Sequence, residues 1–187
     1  YATNDEINDM TFQKYKLINR AVESIDSTYF AIWVDADLGC PEDDFVGCDV
    51  DRSLAFVYNQ DGLDGDPGCE CNVGGLVNTY CDEVPLLGID YFRGPLGPKV
   101  FTADGDLRNP GVGESPDTIV ELPMSSFTYF VRESSTNAIT DPTGSTEYYR
   151  LLSGSWKDGE PFTFGGNGYN VGSNDIIPYA FPNRPDD

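Results

Sequence analysis

Between residues 35 and 51 the sequence reads Asp35-Ala36-Asp37-Leu38-Gly39-Cys40-Pro41-Glu42-Asp43-Asp44-Phe45-Val46-Gly47-Cys48-Asp49-Val50-Asp51, seven carboxylates with no basic residue among them. Like charges crowded this closely repel, and some would have to stay protonated to coexist. A hard divalent cation removes the conflict. Calcium takes roughly six to eight oxygens from carboxylates, backbone carbonyls and water. The run therefore predicts a calcium site. Asp35 and Asp37, two residues apart, would point the same way, and Asp43, Asp44 and Asp49 would return from a loop to complete the cage. The competing reading is a solvated acidic loop in which Asp serves turns and caps.

A second acidic stretch, Asn59-Gln60-Asp61-Gly62-Leu63-Asp64-Gly65-Asp66-Pro67-Gly68, offers Asp61, Asp64 and Asp66. Asp-Gly pairs suit calcium loops, because Gly permits the tight backbone that turns carbonyls toward an ion. They also suit hairpin turns. The stretch is not an EF-hand loop, since Leu63 interrupts the alternation of ligands and no Glu fills the bidentate twelfth place. Asp104-Gly105-Asp106 reads as a turn.

Other chemistries are narrowed by composition. The chain has no histidine, which removes Ser-His-Asp and Cys-His catalysis and His-ligated zinc. Its 32 acidic and 11 basic residues give a net charge of −21, which repels nucleic acid and anionic membranes. No run is long and apolar enough to insert in a membrane. Carboxylate pairs serve glycosidases, but carboxylates are so abundant here that no pair stands out, and no catalytic residue is assigned. Trp33, inside an apolar stretch, is expected in the core, and Trp156 at the surface. The five cysteines fall within 42 residues, at positions 40, 48, 69, 71 and 81, without the CxxC spacing of a zinc ribbon. Disulfides drawn from Cys40, Cys69, Cys71 and Cys81 are expected, with Cys48 a buried thiol. Cys69 and Cys71 are too close to pair with each other, and the connectivity stays open.

The elements that must position these groups are mostly strands. Residues 28–37 have apolar side chains on both alternating sets, which predicts a central strand covered on both faces. Residues 53–58, 84–92 and 125–131 read as further strands, 176–181 as a last short one, and 10–19 as extended. Only Ser145–Leu152 reads as a helix, with a polar start and Gly154 just past its end. The 20 Gly and 13 Pro are dispersed, so the chain turns often. The expected fold is one mainly β domain over residues 1–187, an antiparallel β-sandwich (jelly-roll-like) with one short helix and long loops.

Ile7-Asn8-Asp9-Met10-Thr11-Phe12, Tyr15-Lys16-Leu17-Ile18-Asn19, Thr28-Tyr29-Phe30-Ala31-Ile32-Trp33, Asp35-Ala36-Asp37-Leu38-Gly39, Asp43-Asp44-Phe45-Val46-Gly47-Cys48-Asp49, Tyr58-Asn59 and Asp90-Tyr91-Phe92-Arg93-Gly94-Pro95 carry a resemblance. So do Met124-Ser125-Ser126-Phe127 and Ser153-Gly154-Ser155-Trp156-Lys157-Asp158-Gly159. These pieces resemble a recurring segment of large secreted proteins of Bacteroidetes bacteria, exported by the type IX system. The resemblance implies an exported or surface-attached protein and supplies no catalytic residues. The chain is accordingly expected to be a mature or excised piece of a longer exported protein. Its expected role is a non-enzymatic structural or adhesive module, held by calcium and disulfides. Its partners would be other extracellular proteins or copies of itself. A calcium-supported carbohydrate-binding module is the alternative, and a glycoside hydrolase a more distant one.

Overall fold

The computed structural model describes residues 4–65, 69, 71, 79–111 and 113–183. Three strands, β1 (Asp44–Asp49), β2 (Leu54–Asn59) and β3 (Leu86–Asp90), form one sheet in the order β3-β2-β1, and β7 (Pro182–Asn183) adds to β1. A second sheet has β4 (Leu96–Phe101) between β5 (Leu107–Arg108) and β6 (Thr118–Glu121). Every pairing between these strands is antiparallel except β1 with β7. The protein is thus mainly β and sandwich-like, with one short α-helix, α1 (Ser145–Leu152), and long loops.

The register of β1 on β2 decides where the chemistry lies. Cys48 pairs with Ala55 and Asp49 with Leu54 at the hairpin end, where Ser53 N–H closes the turn on the Val50 carbonyl at 3.2 Å. At the open end Asp44 stands opposite Asn59. Gln60 N–H extends the pairing by bonding the Asp43 carbonyl at 2.7 Å. Six residues of the acidic run expected to loop are therefore strand. Backbone pairing with β2 carries the ladder through all six residues, and carboxylates occupy both strand ends.

Helix α1 forms because its first turn is closed from the side. Glu147 reaches back to accept from Thr143 N–H at 2.6 Å and Thr143 Oγ1 at 3.1 Å. That backbone donor holds the Glu147 carboxyl below its ordinary range. Leu151 is its buried residue. It joins Ala138, Ile139, Trp156 and Phe162, against which Tyr129, Phe130 and Tyr169 pack. Trp156 is completely buried, and its indole N–H donates to the Gly168 carbonyl at 2.7 Å.

The two tryptophans reverse the expectation from sequence. Trp33 is 67% exposed, and Trp156 is the centre of the core. Residues 28–37 form no ladder among the described residues, although both alternating sets are apolar. They are strapped to the body by side chains instead: Ile32 N–H donates to Tyr91 Oη at 2.9 Å, and the Tyr29 ring meets Tyr149 edge-on at 5.4 Å. Apolar residues on both faces report a demand for cover, not the presence of a pairing strand. The 125–131 stretch likewise holds only isolated bridges, Phe127 to Tyr179 and Val131 to Thr140. No helix among the described residues is long and apolar enough to cross a membrane.

Candidate metal centre

Two of the sequence-predicted ligands are entirely buried. Asp43, just before β1, and Asp64, after the β2 loop, both have no exposed surface. Their carboxylate oxygens and Cys40 Sγ all lie within 4.8 Å of one another. Cys40 is spent in a disulfide with Cys69, so its sulfur carries no charge for a metal. What remains is a pair of buried carboxylates. Among the described residues the ion pairs are Asp49–Arg52 and Arg108–Glu114, and neither touches this pair. Burying charge without a partner is costly, and here two like charges share one site.

The hydrogen bonds show how far the protein itself answers those charges. Asp64 Oδ1 accepts from Cys40 N–H at 2.8 Å, and its Oδ2 accepts from Tyr80 N–H. Asp43 Oδ2 accepts from Gly65 N–H at 3.0 Å, and Asp44 Oδ2 from Leu38 N–H at 2.8 Å. Then the donors run out. Asp43 Oδ1, Asp44 Oδ1 and Asn59 Oδ1 are buried with no partner. The only other such side-chain atom among the described residues is Thr163 Oγ1. Three orphaned acceptors at one end of the β1–β2 pair are a concentration of negative potential. Burial pushes the Asp44 carboxyl above its ordinary range. The Leu38 N–H pulls it back, and Asp43, Asp64 and Asp37 raise it further.

Two glycines let this centre close. A Cβ on Gly39, whose φ is +85°, would run into the Asp64 carboxylate. Gly65, at φ +141°, donates its N–H to Asp43 and has Cys71 Sγ 3.2 Å from where a Cβ would stand. Oxygen donors alone, with no histidine and with the nearest sulfur oxidised, match a hard cation and not a thiolate-seeking one.

The other predicted ligands are placed differently. Asp37 is exposed but close enough to raise Asp44. Asp35 is exposed on the strapped arm. Asp49 turns to Arg52, whose side chain and N–H hold its carboxyl below the ordinary range. Asp61 is exposed and caps its own turn, its Oδ1 accepting from Leu63 N–H at 2.8 Å. Asp66 lies outside the described residues. Asn59 is the member that sequence reasoning passed over. The signal was available: a strand of apolar residues ends on a neutral amide, and that position pairs with an aspartate once β1 is recognised.

Among the four candidate bridging cysteines, Cys40 and Cys69 are joined, while Cys71 and Cys81 remain thiols. Cys48 is a fully buried thiol whose pKa is pushed up to about 12, first by burial and then by Asp49. No protein-family model, curated protein or solved structure matches the chain.

Proposed function

We propose that this chain is a non-enzymatic extracellular module, structural or adhesive, whose acidic end is held together by calcium bound to Asp43, Asp44, Asp64 and Asn59. The observation that carries this is the buried pair Asp43 and Asp64 with no ion-pair partner among the described residues, together with partnerless buried oxygens on Asp43 itself, on Asp44 next to it and on Asn59 opposite Asp44. Water and backbone carbonyls would complete the coordination. Calcium then joins residues 38–44, the end of β2 and the Asp64 turn, segments that otherwise repel. Stability follows calcium concentration by mass action.

The Cys40–Cys69 disulfide favours an oxidising, extracellular setting for this reading. Its partners are other extracellular proteins or further copies of the chain. The exposed apolar side chains of Phe30, Ile32, Trp33 and Val34 are surface of the kind such contacts use.

The test is thermal unfolding in millimolar calcium, in excess chelator, and in magnesium at matched ionic strength. With calcium at about a hundred times its Kd, the linkage supplies about 2.7 kcal/mol, or roughly 5–10 °C in Tm for a chain of this size. Coincident curves together with no retained ion by elemental analysis would sink the reading.

A carbohydrate-binding module is a second reading, supported by a cleft of about 2680 Å³ whose lining includes Trp33, Tyr58, Tyr91 and Tyr148. Trp156 plays no part in it, being buried. A glycan array decides: specific binding lost on Trp33→Ala favours this reading, and no binding favours the structural one.

A further inference from the structure

We propose that Cys71 and Cys81 close a second disulfide, and that this bridge clamps Asp64 into the metal centre. The metal part of this inference rests on the calcium reading above; the bridge itself does not. The two thiols share a neighbour, the Thr79 hydroxyl. Thr79 Oγ1 lies 3.6 Å from Cys71 Sγ and 3.3 Å from Cys81 Sγ. Both are half-buried, so an oxidant can reach them, whereas Cys48 is shut inside. With Cys40 and Cys69 already joined, they are also each other's remaining accessible partner.

The position of the pair gives the bridge its consequence. Asp64 is held by Cys71, Tyr80 and Cys81. Its N–H donates to the Cys81 carbonyl at 2.8 Å, within an isolated antiparallel bridge between the two residues. Its own carbonyl accepts from Cys71 Sγ at 3.2 Å. Its carboxylate accepts from Tyr80 N–H. On the far side Gly65 delivers its N–H to Asp43. Tying Cys71 to Cys81 therefore restrains Tyr80, one of the two backbone donors to the Asp64 carboxylate, which lowers the entropy lost when the metal binds.

The chemistry balances with a disulfide oxidant, small-molecule or protein. One cysteine thiolate attacks a sulfur of the oxidant and expels a thiol, leaving a mixed disulfide. The second cysteine thiolate displaces the oxidant's other sulfur. Two protons and two electrons leave the protein, and the oxidant departs as two thiols.

Peptide mapping of the oxidised, native protein tests the bridge without any variant. Free thiols are first blocked in denaturant, and the unreduced protein is cut after glutamate. Cleavage after Glu42, Glu70 and Glu83 separates Cys40, on peptide 24–42, from Cys69, on peptide 43–70, and leaves Cys71 and Cys81 together on peptide 71–83. The expected result is peptide 24–42 linked to 43–70, and peptide 71–83 unlabelled and two hydrogens lighter than its reduced form. Labelled cysteines in 71–83, or cross-links from it to another peptide, would overturn the bridge.

The clamp is tested by calcium titration of Cys71→Ser/Cys81→Ser, with far-UV circular dichroism matched to the unaltered protein. Affinity should fall roughly tenfold, the scale of outer-shell losses at metal sites. Unchanged affinity overturns the clamp. Absence of calcium binding in the unaltered, oxidised protein overturns the clamp along with the calcium reading, while the mapped bridge stands or falls independently.

Discussion

The acidic end and the aromatic core bury charge in opposite ways. In the core, Lys157 is 6% exposed, and the protein answers its ammonium from within. Nζ donates to Thr140 Oγ1 at 2.5 Å and to the Asp141 carbonyl at 3.1 Å, while the Lys157 carbonyl accepts from Arg150 at 2.9 Å. Around it Trp156, Phe162 and Leu151 supply apolar burial. At the acidic end, Asp43 and Asp64 are as buried as Trp156, but the oxygens of Asp43, Asp44 and Asn59 outnumber the donors offered to them. One region is complete as a folded polypeptide. The other leaves acceptors that its own donors do not answer, which the proposed calcium would.

The largest expected effects separate the two regions by their response to calcium. Trp156→Ala removes the ring that touches Phe162 at 4.7 Å and Tyr129 at 5.7 Å between centroids. It should cost about 3–5 kcal/mol, as large core truncations do, by the same amount with calcium or chelator in urea denaturation. Asp43→Asn should behave otherwise. Its amide oxygen can keep the Gly65 N–H bond, and its NH2 would stand where an orphaned oxygen now stands, beside acceptors. In chelator the variant should match or exceed the unaltered protein, because a buried like-charge repulsion is gone. In calcium it should forgo most of the roughly 2.7 kcal/mol that saturation supplies. A loss of equal size in chelator would show that Asp43 stabilises the fold without a cation.

Legibility in the sequence followed the same division, but not where apolar content was highest. Helix Ser145–Leu152 was readable to the residue, since a polar start, the 148, 151, 152 pattern and Gly154 are all local signals. Strands β2 and β3 were readable from runs of β-branched and aromatic residues. β1 was hidden, because its acidic ends and Gly47 look like loop until the partner strand is known. β4 was hidden by Pro98, tolerated because β5 pairs only Val100 and Phe101 and leaves Pro98 paired on one side alone, and β6 by its shortness. The exchange of Trp33 and Trp156 has a physical reason. Local alternation measures how apolar a segment is, whereas burial of Trp156 depends on Gly168, twelve residues on, accepting its indole N–H. For the candidate site, the sequence offered eight aspartates as ligands and no means of choosing among them. Choosing Asp43, Asp44 and Asp64 over Asp35, Asp49 and Asp61 needs the β1–β2 register and the turn that returns Asp64 to Gly39.

A smaller effect sharpens the boundary between the regions. Gly39→Ala places a Cβ against the Asp64 carboxylate at a φ of +85°, which L side chains rarely adopt. Overpacking of this kind costs about 1–3 kcal/mol. If the displaced group is the calcium ligand proposed above, the loss should grow in calcium and any calcium-induced rise in Tm should shrink. An alanine that lowers Tm equally in calcium and chelator would make Gly39 a backbone requirement only. Cys48 provides the matching control on the other side of β1. Its thiol, pushed up to about 12, should resist iodoacetamide at pH 8 in the native protein and react fully in denaturant, with or without calcium.

The smallest effect is expected at Asp49, and that is its use. Asp49 and Asp43 carry the same side chain six positions apart in one acidic run, Asp43 just before β1 and Asp49 at its end. Asp49 lies at the hairpin end, where Arg52 supplies both a guanidinium and an N–H, so its charge is already answered at the surface. An exposed ion pair of this sort contributes little and is screened by salt. Asp49→Asn should therefore leave the calcium-induced shift in Tm unchanged and should lower Tm only slightly at low ionic strength, a difference that disappears as salt is raised. If Asp49→Asn weakened calcium binding as much as Asp43→Asn, the ion would be responding to the summed charge of residues 35–51 and not to a cage at the open end of β1 and β2. Donor supply, and not carboxylate density, is what distinguishes the two positions.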